Sequence, residues 1–180
     1  LSNRSCYCYG YVESNEPNIF SDNETIKISI ICPDPYFYSY IETETVLSGI
    51  QNEFEFPFYN DGSEETLPMG EIISSRSACI NYEGDEEVGV DIYIHAIGTV
   101  TNLSLYLFEK VETMRIDTTK LQTYTGSVII EGDDIVISTK KGNKFISLFR
   151  NGLEINILNC LTSYNTWINI HEGENTFGYD

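Results

Sequence analysis

The chain is poor in the parts that most enzymes need. Its 180 residues include two histidines and one tryptophan, so acid–base schemes built on several imidazoles, and most zinc sites, lack their groups. No Gly-rich phosphate loop, Gly-x-Ser-x-Gly elbow, His-Glu-x-x-His or Cys-x-x-Cys occurs. The expectation is no enzyme: no catalytic residue, no metal site and no cofactor. Positive charge is also scarce, with 10 Lys and Arg against 28 Asp and Glu and a formal net charge of -18. Such a surface repels phosphate backbones and anionic headgroups, which argues against nucleic acid and membrane surfaces as partners. DNA mimicry needs carboxylates ordered along one face, whereas these are scattered among turns, and solubility at high local concentration explains them better. No apolar run approaches the roughly 20 residues of a spanning helix, and no charged start followed by an apolar stretch marks a signal peptide. The first residue is Leu1 rather than Met, which leads us to expect a longer parent protein.

Five cysteines are an odd count. Cys6 and Cys8 lie two apart in a strand-like stretch, on one face but poorly placed to bridge each other. Buried free thiols of a reducing cytoplasm are the expectation. Sequons at Asn3, Asn23 and Asn102 matter only in a secreted eukaryotic protein and read as chance.

What the chain does have is alternation. Ile26, Ile28, Ile30 and Cys32 alternate with Lys27, Ser29 and Ile31, the pattern of a strand with one face buried. Val88, Val90, Ile92, Ile94 and Ala96 do the same, with Asp91, Tyr93 and His95 opposite, and Leu103, Leu105 and Leu107 repeat it. The pairs Gly132-Asp133, Gly142-Asn143 and Asn151-Gly152 suit tight hairpin turns and predict a four-stranded meander over 127–157. The one helical candidate is 156–163, as a single turn. Pro33-Asp34-Pro35 should stop the strand ending at Cys32, since proline cannot donate to a ladder. Together these predict an all-β chain with a boundary at 33–50: residues 1–45 as a remnant of one domain and 46–180 as a complete sandwich.

Chemistry-bearing candidates are few. His95 and Asp91 share a strand face, but four residues at about 3.3 Å each hold them roughly 13 Å apart. His171 can meet one of them only through folding. The acidic turns at 61–65, 83–87 and 131–134 lack calcium-loop spacing, and turn geometry accounts for them. Among 13 Tyr and 9 Phe, Tyr7, Tyr9 and Tyr11 point the same way along one predicted strand. Such a stripe suits sugar or protein contacts, and suits cross-strand packing about as well. Trp167 is a sugar platform by residue type, although a lone Trp is more often core.

Three stretches carry a resemblance: Gly10-Tyr11-Val12-Glu13 leading to Ile28-Ser29-Ile30-Ile31-Cys32-Pro33-Asp34-Pro35-Tyr36-Phe37; Asn81-Tyr82-Glu83-Gly84-Asp85; and Gly132-Asp133-Asp134-Ile135-Val136-Ile137-Ser138-Thr139. The last continues through Lys140 to Ile146 into Ser163-Tyr164-Asn165-Thr166-Trp167 and Gly173-Glu174-Asn175-Thr176-Phe177. In this order they resemble the distal tail proteins of long, non-contractile-tailed bacteriophages. The resemblance implies the end of an N-terminal belt domain up to about residue 45, then a galectin-like β-sandwich of jelly-roll type. It implies a homo-hexameric ring joining tail tube to baseplate or tail-tip proteins, with the sandwiches turned outward toward receptor-binding parts. It also implies a virion location after assembly in the host cytoplasm. The alternative is a carbohydrate-binding module for a host-surface glycan, and a hydrolase built on His95 or His171 is the weakest reading. No galectin sugar-binding residues match onto the chain, so the binding residues are left unassigned.

Overall fold

The computed structural model describes residues 5–17, 26–52 and 70–180. They are mostly β-strand with one short α-helix, an all-β fold. Contacts divide the chain into two units, Leu1–Glu44 and Thr45–Asp180.

In the first unit, β1 (Cys6–Tyr7), β2 (Tyr11–Pro17), β3 (Ile26–Ile31) and β4 (Tyr38–Ser39) form two antiparallel pairs, β1 with β4 and β2 with β3. The strand predicted at Ile26 is present, but its buried face is not. Ile26, Ile28 and Ile30 are exposed and Ser29 is half-buried, because β2 and β3 make a two-stranded ribbon over which no described residue forms a second layer. The predicted tyrosine stripe is broken as well. Tyr7 lies in β1, Tyr9 lies between strands and Tyr11 opens β2.

In the second unit, β5 (Ser48–Asn52) pairs with β6 (Gly70–Ser74). There follow β7 (Ser77–Tyr82), β8 (Val88–Gly89), β9 (Asp91–His95), β10 (Leu103–Leu107) and β11 (Glu112–Ile116). Helix α1 spans Thr118–Thr125. The chain continues through β12 (Asp134–Ser138), β13 (Phe145–Arg150), β14 (Leu153–Asn156), a 3-10 turn at Leu158–Cys160, β15 (Asn169–Ile170) and β16 (Gly173–Tyr179). Two antiparallel four-stranded sheets result, in the orders β11-β10-β16-β7 and β14-β13-β12-β9. Both feed one hydrophobic cluster: Leu103, Leu105, Leu107, Met114 and Phe177 from the first, Ile135, Ile137, Ile146 and Leu148 from the second. A fully buried side chain of this size contributes about 1.5–3 kcal/mol by leaving water.

The alternation at Ile92–Ala96 is realised, with Asp91, Tyr93 and His95 exposed opposite half-buried Ile92 and Ile94, whereas β10 buries Leu103, Leu105 and Leu107 and also Ser104, with Tyr106 half-buried, so both of its faces are covered. Val88 belongs to a separate short strand paired with β15. The meander has three strands, not four. Residues before Gly132 supply only an isolated bridge, Val100 to Ile129, and the fourth neighbour is β9, paired to β12 from Asp134–His95 to Ser138–Asp91. Asn151-Gly152 is the expected two-residue turn, with φ of 52° and 77°. The single turn expected in 156–163 is the 3-10 turn at Leu158–Cys160.

Helix α1 is an addition to the sequence reading. Asp117 Oδ1 accepts from Thr119 N at 3.0 Å and Lys120 N at 3.2 Å, and Gly126, at φ 81°, closes the other end. Four threonines hide it from a propensity reading. Two of them send hydroxyls back to carbonyls one turn earlier, Thr123 to Thr119 and Thr125 to Leu121, both at 3.0 Å. Leu121 is the one side chain α1 buries.

Candidate functional site

Tyrosine, serine and acidic side chains gather in the first unit, where pairing of Cys6 with Ser39 and Tyr7 with Tyr38 brings two aromatic segments side by side. Tyr7 is the hub: its ring centroid lies 4.9 Å from that of Tyr40, 5.5 Å from Tyr9 and 5.6 Å from Tyr38. These spacings lie within the favourable range for edge and tilted aromatic contacts. An open cleft of about 520 Å³ is lined by Tyr7, Cys8, Tyr9, Ser39, Tyr40 and Glu42. Tyr38 donates from its hydroxyl to Asp34 Oδ2, which raises the phenol above its ordinary value and keeps it a donor. The cleft thus joins apolar ring faces to a carboxylate and a hydroxyl. Sequence reading singled out Tyr7, Tyr9 and Tyr11 as a stripe; Tyr7 and Tyr9 line the cleft and Tyr11 does not, and Tyr38 in β4 and Tyr40 just after it, which the reading did not join to them, complete the group.

The histidines do not build a shared centre. His95 Nδ1 lies 2.6 Å from Asp134 Oδ1, with both side chains more than half exposed. The partner is the cross-strand neighbour, not Asp91 of its own strand, and Asp91 instead accepts from Lys140 Nζ at 2.7 Å. The His95–Asp134 pair becomes visible only once β9 is known to lie beside β12. His171 sits in a tight turn, its backbone N donating to Asn175 Oδ1 at 2.9 Å while Asn175 Nδ2 donates back to the His171 carbonyl at 2.7 Å. Its Nδ1 is buried and, among the described residues, meets no hydrogen-bond partner. Two carboxylates feel its charge: Glu87, held below the usual carboxylate range first by its bond from Lys110 and to a smaller extent by His171, and Glu109, raised by burial but lowered on balance by its bonds from Thr176, with His171 again the smaller contributor.

Carboxylates of two of the acidic turns are engaged by side chains of the protein itself. Asp133 is held by Arg150, Asp134 by His95 and Glu87 by Lys110; the turn at 61–65 lies outside the described residues. Among the described residues no three His, Cys, Asp or Glu side chains converge to hold a metal ion. Trp167 is half-buried against the core with Lys144 Nζ 5.1 Å from its ring centroid, which leaves it badly placed as a sugar platform.

The cysteine expectation is corrected. Cys160 alone is buried, and burial pushes its thiol up; Cys6, Cys8, Cys32 and Cys79 are exposed. Cys8 and Cys32 meet sulfur to sulfur at 3.8 Å.

No helix among the described residues is long and apolar enough to cross a membrane. Comparison with family models, with curated proteins and with solved structures returns no match to this chain.

Proposed function

We propose that the chain is a structural docking protein of a bacteriophage particle: a distal tail or baseplate-hub component of a long, non-contractile tail. In this reading residues up to about 45 end a ring-forming belt domain, and residues 46–180 form a galectin-like β-sandwich of jelly-roll type. Support for the sandwich comes from two antiparallel four-stranded sheets that feed one core, as two face-to-face layers require. The observation that carries the docking reading is the β2–β3 ribbon. Val12, Ile26, Ile28 and Ile30 stand 61%, 64%, 55% and 60% exposed on neighbouring strands. An apolar strip of that kind costs free energy in water and marks a contact surface. The occupant we assign is a further copy of the chain, in a closed hexameric ring whose repeated contact buries the strip. The tail tube and the tail-tip or baseplate proteins dock on the ring, and the sandwiches face outward toward receptor-binding parts.

Native mass spectrometry of the protein at micromolar concentration tests this. A hexamer that co-purifies with tail fractions is the expected result. A monomer that never enters them overturns it.

A second reading is favoured by the tyrosine-lined cleft: a carbohydrate site in which ring faces pack on sugar C–H surfaces while Glu42 and Ser39 meet hydroxyls. Retention on a glycan array that is lost in Tyr7→Ala and Tyr40→Ala is its expected signature, and a blank array removes it.

A further inference from the structure

We propose that Cys8 and Cys32 form a redox pair, joined by an oxidant of the disulfide class into an intramolecular disulfide that closes the N-terminal ribbon. The two Sγ atoms lie 3.8 Å apart across a sequence separation of 24 residues, and both side chains are exposed. A disulfide bond is about 2.05 Å long, so the sulfurs must approach by roughly 1.8 Å, within reach of side-chain rotation and a small backbone shift.

The ribbon's register places them together. Tyr11 pairs with Ile31 and Val12 with Ile30, so Gly10 and Cys32 come next beyond the ladder, with Cys8 two residues further on. Gly10 keeps the approach open. A Cβ added there would lie 2.7 Å from Ile30 Cγ2, 2.9 Å from the Ile31 carbonyl oxygen and 3.0 Å from Cys32 Sγ, so a side chain at that position displaces the sulfur that must lean toward Cys8. No comparable contact joins Cys6, Cys79 or Cys160 to another cysteine among the described residues.

The chemistry needs a co-reactant such as oxidised glutathione. One protein thiolate attacks a glutathione sulfur and releases one glutathione thiolate, leaving a mixed disulfide. The second protein thiolate then attacks the protein sulfur of that mixed disulfide and releases the second glutathione. In sum the two protein thiols lose two electrons and two protons, and one glutathione disulfide becomes two glutathione thiols. Hydrogen bonding to Cys32 holds the Cys8 thiol above its ordinary value, so Cys8 stays protonated at neutral pH and reacts faster as pH rises. Passage from a reducing to an oxidising medium therefore closes the ribbon covalently, which restricts the unfolded chain.

The test incubates the full chain with oxidised glutathione at about pH 8.5, alkylates the remaining thiols and maps peptides by mass spectrometry. The expected result is a Cys8–Cys32 linked peptide, a fall in alkylated cysteines from the full five by one pair, and reversal by dithiothreitol. Cys6→Ser and Cys79→Ser leave the yield unchanged, whereas Gly10→Ala lowers it. Full alkylation after oxidation, a bridge through Cys6 or Cys79, or a bridge only between two chains would overturn the proposal.

Discussion

Arg150 grips Asp133 with two parallel bonds, Nε to Oδ1 at 2.8 Å and Nη2 to Oδ2 at 2.5 Å, and the two side chains are 11% and 1% exposed. The same guanidinium donates to Ser127 Oγ at 2.6 Å, the Val128 carbonyl at 2.8 Å and Thr125 Oγ1 at 3.2 Å, while Asp133 also accepts from Ile130 N at 2.8 Å. One ion pair thus ties the end of α1 and the loop after it to the strands β12 and β13. Removing one partner of a buried pair strands a charge, at a cost of about 3–5 kcal/mol. Arg150→Met is therefore expected to lower the melting temperature of the second unit by about 10 °C, at roughly 2–4 °C per kcal/mol, read by thermal denaturation. An unchanged transition would show the pair to be dispensable.

The same contact sets an acid sensitivity. Its bonds from Arg150, helped by the Ile130 amide and opposed by burial, hold the Asp133 carboxyl below the ordinary carboxylate range. A carboxyl depressed on folding stabilises the fold at every pH above its unfolded value, about 3.9, and that contribution fades as pH falls through the lower folded value. Urea midpoints measured from neutral pH down into this window should decline less steeply in Asp133→Asn than in the natural chain, from a lower starting value.

Val111 offers a gain. It closes the turn after β10 with φ of 55°, a β-branched side chain in the left-handed region, and it is 87% exposed. Left-handed backbone costs an L residue about 1–2 kcal/mol, and the exposed side chain returns little in packing. Val111→Gly and Val111→Asn should each raise stability, by about 0.5–1 kcal/mol. A loss in both would mean that the valine side chain makes a contact worth more than the strain.

The His95–Asp134 pair is exposed, and pairs of that kind contribute about 0–1 kcal/mol. His95→Gln should leave the unfolding transition nearly where it was in chemical denaturation. A shift comparable to that of Arg150→Met would reveal a role beyond surface pairing.

Ile28→Asp and Ile30→Asp separate folding from assembly. Both side chains are exposed, so the second unit's unfolding should change by less than about 0.5 kcal/mol. Sedimentation should nonetheless show assemblies reduced to monomers if the ribbon is the ring contact. Undiminished assembly in both variants would move the contact elsewhere.

Residue periodicity made β9 legible because it turns one face toward the core of its own unit, the leucines marked β10 although both of its faces are covered, and Asn151-Gly152 announced its turn because few other pairs tolerate two positive φ angles. It said nothing of neighbours. Alternation states which side of a strand is apolar and not which strand lies beside it, so β9 next to β12, and with it His95 against Asp134, were hidden. The exposed isoleucines of β3 show the converse limit: the pattern predicts a buried face without naming the surface that buries it. Helix α1 escaped notice because its caps, Asp117 and Gly126, bracket threonines that read as strand.

The strand β16 lies between β10 and β7, pairing Phe177 with Leu107 on one side and with Ala78 on the other. During synthesis, β7 and β10 leave the ribosome long before the segment that joins them. Until residues 173–179 emerge, each waits with an open edge, so the first sheet cannot close before that segment has been synthesised, and an unpaired strand edge in the meantime is a surface on which neighbouring nascent chains can pair.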